Sequence, residues 1–274
     1  MVATPIGNLG DLSSRAMETL RSVDAVYAED TRTTQHLLAH HGIRVRLRAL
    51  HAHNEAGAAD ALIAELREGR SVALVSDAGT PAISDPGALA VARVRAAGFT
   101  IVPIPGASAL TAALSVAGLS GPFAFIGFLP AKAAARRAAL EAWRSFPHAL
   151  VCYEAPHRIL ECVDDLAAVL GPDRRLFLAR ELTKLHEQTY SGPLGAARAW
   201  LEADPNRERG EFVLVVDAPA ALPDAAAGER ERVLRVLLAE LPLRQAVALA
   251  VEITGARRNA LYDLALEWTR KDPQ

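Results

Sequence analysis

The chain contains neither G-x-G-x-x-G nor G-x-x-x-x-G-K-[ST], which argues against an ordinary dinucleotide site and against a P-loop. Cysteine is scarce, with two in 274 residues. Cys152 lies in an apolar, strand-like run and Cys162 in a helical pattern. Neither belongs to a C-x-x-C pair or to a His–Cys cluster with zinc spacing, so two buried free thiols are expected rather than a bridge or a metal site. No apolar run approaches the roughly 20 residues that cross a bilayer, and the first residues lack the basic-then-apolar layout of a signal peptide. The expectation is a cytoplasmic protein with no membrane partner. An excess of one charge is missing too, since 30 Lys and Arg stand against 32 Asp and Glu for a formal net charge of −2. Bulk charge therefore cannot hold a nucleic acid, and any such contact must be local or made to a protein-bound RNA. No internal repeat is present, and no low-complexity tract apart from one Ala-rich stretch.

What is present is a rhythm of short buried runs and helical patterns. The length suffices for two modest domains, each with its own core, and 51% of the residues are hydrophobic. Apolar runs at 25–27, 47–50, 72–75 and 101–104 alternate with helical patterns such as 58–68 and 89–97, which predicts βαβ units and a mainly parallel sheet. Turn chemistry around residues 118–122 marks a boundary. Beyond it, strand-like runs at 123–128, 149–153, 176–178 and 211–217, with helical stretches at 134–145 and 158–170, predict a second α/β domain. The segment 218–228, APAALPDAAAG, reads as a linker. Three helical patterns follow at 229–240, 243–253 and 257–268, the last two separated by Thr254 and Gly255 in a helix-turn-helix-like layout. The expected domains are 1–117 and 118–220, with a C-terminal helical segment over 229–274. That segment carries eight basic and seven acidic residues, which leaves a packing appendage and an RNA reader equally open.

Two stretches are built to meet a ligand. Residues 72–87, VALVSDAGTPAISDPG, break from a buried run into a loop of Asp, Gly, Thr and Pro that displays backbone groups. Residues 99–109, FTIVPIPGASA, end a second run in Pro105 and Gly106 and open onto a helical pattern at 107–115. Ligands of open α/β sheets sit beyond the carboxyl ends of strands, and a helix start suits a carboxylate or phosphate. Gly79 and Gly106 permit close backbone approach, Ser108 can cap a helix or bind a carboxylate, and Asp77 can touch the ligand or cap its own loop.

VATPIGNLGDLS at 2–13, AEDTRTT at 28–34, HAHNE at 51–55, the two loops above, GFLP at 127–130, YEAPHR at 153–158 and RELTK at 180–184 together resemble the ribosomal RNA small subunit methyltransferase I family of the tetrapyrrole methylase superfamily. The resemblance runs through nearly the whole chain in order. It implies an S-adenosylmethionine enzyme that methylates the 2′-oxygen of a cytidine ribose in the decoding region of 16S rRNA, within the small ribosomal subunit. It also implies a two-domain tetrapyrrole methylase-like α/β fold with the cofactor cleft between the domains, and is compatible with a homodimer. Cofactor contacts are implied for Pro5, Asp77, Ala78, Gly79, Ile83, Pro105, Gly106, Ala107, Ser108 and Tyr153. Members carry several apolar residues before VATPIGNL where this chain has Met1, so a very short first strand is expected and an upstream start stays open. Two other readings stand beside this one: a corrinoid or porphyrinogen ring methylase with the same fold, and a non-catalytic ribosome-assembly protein that binds RNA. AEDTR, HAHNE and the C-terminal helices favour RNA methylation.

Methyl transfer from a sulfonium is an in-line displacement, and a ribose hydroxyl is a weak acid, so a base or a cation that lowers its pKa is needed. The candidates are Asp30, Arg32, His53, Glu55, Lys132 and Lys184. Asp30 and Arg32 can equally form a structural ion pair, His53 can be a loop histidine bonded to backbone, and Glu55 can be a base or an N-cap-like acceptor for the helix near Ala58. Lys132 can project into solvent or, with Lys184, face a phosphate or a developing alkoxide. Arg158 and Arg180 suit phosphate contact and interdomain carboxylates equally well. Arg257, Arg258 and Asn259 open the last helical pattern and are the residues expected to reach RNA there.

Overall fold

AVYA is buried at every residue and forms β1 (Ala25–Ala28), the central strand of a three-stranded parallel sheet in the order β2-β1-β3. Its neighbours are β2 (Arg46–Ala49) and β3 (Val72–Val75), with Ala25 paired to both Arg46 and Val72. Side chains alternate across the sheet. Val26 and Ala28 pack with Leu20 of α1 (Ser14–Ser22) and Leu38 of α2 (Thr31–His40), while Ala25 and Tyr27 pack with Leu62 of α3 (Glu55–Arg67) and Val94 of α4 (Ala88–Ala96). The structure, a computed structural model, describes residues 1–220 and 225–271, and the chain divides into two compact units, Met1–Ala218 and Pro219–Gln274.

The strand expected at 101–104 does not form, and only Ile104 makes a bridge, parallel to Val2. Pairing on that side depends on the N-terminal segment. Val2 N–H donates to the Leu74 carbonyl at 2.9 Å, Ala3 N–H to Ile104 at 3.2 Å, and Ile104 N–H to Met1 at 2.8 Å. Met1 also meets this run, its terminal amine donating to the Val102 carbonyl at 3.0 Å, but the pairing amounts to a bridge and not to a strand.

Helix α5 (Ala109–Ala117) leads to the second sheet, whose order is β4-β5-β8-β6-β7. Strands β4 (Phe123–Phe128) and β5 (Ala149–Glu154) are parallel; β8 (Phe212–Val216) runs antiparallel between β5 and β6 (Arg175–Arg180), and β7 (Gln188–Pro193) pairs antiparallel at the edge. One face carries Leu150, Leu176, Leu178 and Leu214 against α6 (Ala133–Glu141), α7 (Ile159–Leu170) and α8 (Leu194–Glu202). The other face carries Val151, Phe177, Val213 and Val215 and receives Leu110 and Ala113 of α5. Helix α5 thus follows the first sheet in sequence and packs on the second, which places its N-terminus between the two.

Cys152 and Cys162 are buried and unbridged, and burial pushes the Cys152 thiol up to about 12. The same core holds a fully buried cation. Arg136 of α6 donates through Nε to Asp165 of α7 at 2.6 Å and through Nη1 to the Ala131 carbonyl at 3.2 Å.

In the second unit, α9 (Ala225–Glu240), α10 (Leu243–Thr254) and α11 (Arg258–Lys271) enclose Leu234, Val247, Ala250, Leu261 and Ala265. Gly255 ends α10 with a φ of +67°, a left-handed conformation that costs glycine little. The linker expected over 218–228 needs correction at its end. Residues 225–228 begin α9, because alanine is the strongest helix former, while 221–224 lie outside the described residues, as do 272–274 of the expected C-terminal segment. Among the described residues no helix is long and apolar enough to cross a membrane.

Candidate active site

Loops from both sheets converge on a cavity of about 290 Å³. The first half contributes Ile6, the loop after β3 and the start of α5; the second contributes the end of β5, the turn after β6 and the start of β8. Of the residues expected to hold a cofactor, Ala78, Gly79, Ile83, Ser108 and Tyr153 line this cavity, and of the expected catalytic set Lys184 does. Pro5, Asp77, Pro105, Gly106 and Ala107 are not in its wall. They lie next to or close to lining residues in the chain. Thr4 and Gly79 exchange two backbone hydrogen bonds beside Pro5, and a Cβ on Gly106, which follows Pro105, would come within 2.9 Å of the Ala3 methyl. Asp77 accepts the Asp30 N–H at 2.9 Å, and the Ala107 carbonyl accepts from the Thr80 hydroxyl at 3.2 Å.

Backbone strain concentrates at this cavity. Among the described residues, the non-glycine positions with positive φ are Ala82 and Ser84 in the loop after β3 and Glu181 and Thr183 in the turn after β6. Such conformations cost on the order of 1–3 kcal/mol each and persist where surrounding structure imposes them. The supports are visible. Glu55 Oε1 accepts from the backbone of Gly87 at 2.9 Å, Leu89 at 2.9 Å and Ala90 at 3.2 Å, so it caps α4 and pins the end of the loop. Its acceptor role therefore serves the helix beginning at Ala88, not the one near Ala58, because α3 and α4 lie side by side. Ser84 Oγ lies 3.5 Å from where a Gly127 Cβ would stand, on the bulge of β4.

The wall is apolar on several sides and charged on one. Ile6, Ile83 and Leu182 face Asp85, Glu154, Lys184 and Glu211 around the cavity. Lys184 Nζ donates to Glu181 at 2.8 Å and Glu211 at 2.9 Å, and these carboxylates outweigh burial to raise its pKa. Glu154 is held by Arg158 at 3.0 Å. Asp85 forms no ion pair among the described residues; burial pushes its carboxyl above the ordinary range, partly offset by the Ser76 hydroxyl. The Tyr153 hydroxyl accepts the Leu110 N–H at the start of α5 at 3.1 Å, and its ring stands edge-on to Phe128, which is half exposed at the cavity. Ser108, the N-cap of α5, makes no side-chain capping bond.

The remaining candidates are not in the cavity wall. Arg32 clamps the Asp30 carboxylate, with Nη2 donating at 2.6 Å, and holds its pKa down at about 2; Asp30 also caps α2, so the ion-pair reading describes the geometry. His53 is exposed, edge-on to His51, and Lys132 is exposed at the start of α6. Two arginines correct the phosphate reading. Arg180 is 5% exposed and donates to the carbonyls of Arg209 and His186, and Arg158 serves Glu154 and the Leu129 carbonyl in its own half. Both guanidiniums tie down backbone. In the second unit, Arg257, Arg258 and Asn259 are exposed where α11 starts. Asp85 and Glu211 were missed as site residues, although Asp85 stands in the SDPG of the quoted loop; choosing among its acids needed the strand-end geometry.

Comparison with known proteins agrees with this architecture. Residues 1–198 match the family model described as Tetrapyrrole (Corrin/Porphyrin) Methylases, and residues 224–269 match the RsmI C-terminal HTH domain. The chain is 51% identical over 268 residues to the Ribosomal RNA small subunit methyltransferase I of Escherichia coli O157:H7, covering 97% of this chain and 94% of that one. It is 52% identical over 263 residues to the protein of the same name from Xylella fastidiosa Temecula1, covering 96% of each. A solved structure of uroporphyrin-III C-methyl transferase from Thermus thermophilus, complexed with S-adenyl homocysteine, superposes with a TM-score of 0.54 at 19% identity, over 78% of this chain and 94% of that one.

Proposed function

The chain belongs to the tetrapyrrole methylases and, within them, to the ribosomal RNA small subunit methyltransferase I family, and from that premise we propose that it uses S-adenosylmethionine to methylate the ribose 2′-oxygen of a cytidine in the decoding region of 16S rRNA. Its working place is the cytoplasm and its substrate the small ribosomal subunit. The observation that carries the reading is the convergence of Gly79, the start of α5, Asp85 and Lys184 on one cavity built by both halves of the first unit.

The residues present suit this cofactor. A cavity of about 290 Å³ is close to the lower end, roughly 300 Å³, of small-molecule sites. Gly79, with a φ of +80°, brings backbone to the wall without a side chain, and the N-terminus of α5 offers N–H groups to a carboxylate. Asp77, Pro5 and residues 105–107 stand in the same two loops and the N-terminal segment, where they are assigned to cofactor binding or to holding its loops. S-adenosylmethionine supplies a methyl group on a positively charged sulfur, open to in-line displacement. On the acceptor side, the half-exposed Phe128 gives a base a ring to stack on, and Lys184 gives positive charge near the acceptor oxygen. Arg32, His53 and Lys132 lie on the surface and are assigned to RNA contact rather than chemistry. Arg257, Arg258 and Asn259, at the start of α11, reach phosphate.

Purified protein, S-adenosylmethionine carrying a labelled methyl, and either small subunits or uroporphyrinogen as acceptor test this. The label is expected in the RNA of small subunits and not in uroporphyrinogen. Transfer to the tetrapyrrole, or cofactor binding with transfer to no RNA, contradicts it.

A further inference from the structure

Methylating a hydroxyl leaves one proton to be removed, and the cavity wall contains three carboxylates that face that task. Two are already committed to cations. Glu154 is bonded to Arg158 and Glu211 to Lys184, and a carboxylate neutralised in that way is a weak base. Asp85 forms no ion pair among the described residues.

Its placement is fixed by backbone. Ser84, immediately before it, has a φ of +70°, and Gly87, two residues on, has a φ of +129° and donates its N–H to Glu55. The loop between these points leaves little freedom, and Ser84 Oγ rests near Gly127 of the opposite sheet. Asp85 is therefore carried by the first half and turned toward the wall made by the second. The charged groups that bear on it are Asp77 and Glu211, both of which raise its pKa further, and it in turn raises those of Glu29 and Tyr153.

We propose that Asp85 is the general base of the transfer, accepting the proton of the ribose 2′-hydroxyl. The oxygen–hydrogen bond breaks and its proton passes to a carboxylate oxygen of Asp85. The electron pair left on the hydroxyl oxygen forms the bond to the methyl carbon, and the donor sulfur keeps the pair of the bond that breaks. A carboxylate placed in this way acts only when ionised, so the rate rises with pH through the Asp85 pKa and then levels. Because that pKa is raised, the limb lies above the ordinary carboxylate range.

The inference rests on the function proposed above, and the test separates the two. Wild type and Asp85→Asn are compared for calorimetric binding of S-adenosylmethionine and of S-adenosylhomocysteine, and for single-turnover transfer to small subunits across pH. Both ligands are expected to bind the variant within about twofold of wild type. Transfer is expected to fall about a hundred- to ten-thousand-fold, with the acid limb gone. Unchanged transfer overturns the assignment. So does a selective loss of S-adenosylmethionine binding, which would make Asp85 a contact for the sulfonium. Failure of wild type to methylate small subunits at all overturns the functional reading instead.

Discussion

Replacing Asp165 by alanine is expected to lower the stability of the protein by about 3–5 kcal/mol, the usual cost of stranding a buried charge. Arg136, its partner, is fully buried, and the Asp165 carboxylate compensates it at 2.6 Å. What remains is the Ala131 carbonyl and Glu161 at 3.4 Å, whose side chain is largely exposed and gives a screened interaction. The neighbouring Asp164 provides the control. It pairs with Arg198 on the surface, and its replacement by alanine is expected to change stability by about 1 kcal/mol or less. Urea unfolding of both variants reads the contrast, and equal midpoints would show that Arg136 is solvated.

Gly79→Ala is expected to weaken S-adenosylmethionine binding by more than tenfold, a loss above about 1.4 kcal/mol. The glycine has a φ of +80°, and an added Cβ would approach Ile6 Cγ2 to 3.2 Å, pressing on that residue of the cavity wall. Strain alone would lower stability without touching the site. Gly98→Ala separates the two effects, since Gly98 has a φ of +86° and open space around it. Both variants are expected to lose similar stability, of order 1–3 kcal/mol, while calorimetry finds cofactor affinity reduced only in the first. Equal affinities would remove the loop after β3 from the binding site.

The legible part of the fold follows burial. β1 and β3 lie between two helical layers, so they appear in sequence as continuous apolar runs, and the buried β5 reads the same way. Gln188–Pro193 escaped because β7 is an edge strand that alternates half-buried with exposed residues and has no apolar run to notice. The run at 101–104 misled for the opposite reason. It is apolar, but a strand needs a partner along its length, and that partner is bridged only at Ile104.

The site was legible to the level of loops and not of atoms. Gly79 and Ser108 announced themselves because a glycine before a buried turn and a serine before a helix have few other uses. Asp30 and Glu55 drew attention as acids in conspicuous motifs, yet their carboxylates are spent on Arg32 and on the amides that open α4. Asp85 was hidden among equals in SDAGTPAISDPG. Some acids are settled by partners distant in sequence, as Glu55 is by the Gly87 amide 32 positions on and Glu211 by Lys184 27 positions before it, and local spacing does not encode such pairings.

Ribose methylation of one cytidine in the small-subunit RNA is the function proposed for this protein. The most direct measurement is mass-spectrometric mapping of 2′-O-methyl groups on 16S rRNA from cells with the gene, without it, and without it but carrying a restored copy. A single cytidine in the decoding region is expected to lose its ribose methyl on deletion and to regain it with the restored copy. An unchanged methylation map in the deleted cells, or loss of a modification on a base instead of a ribose, would contradict it.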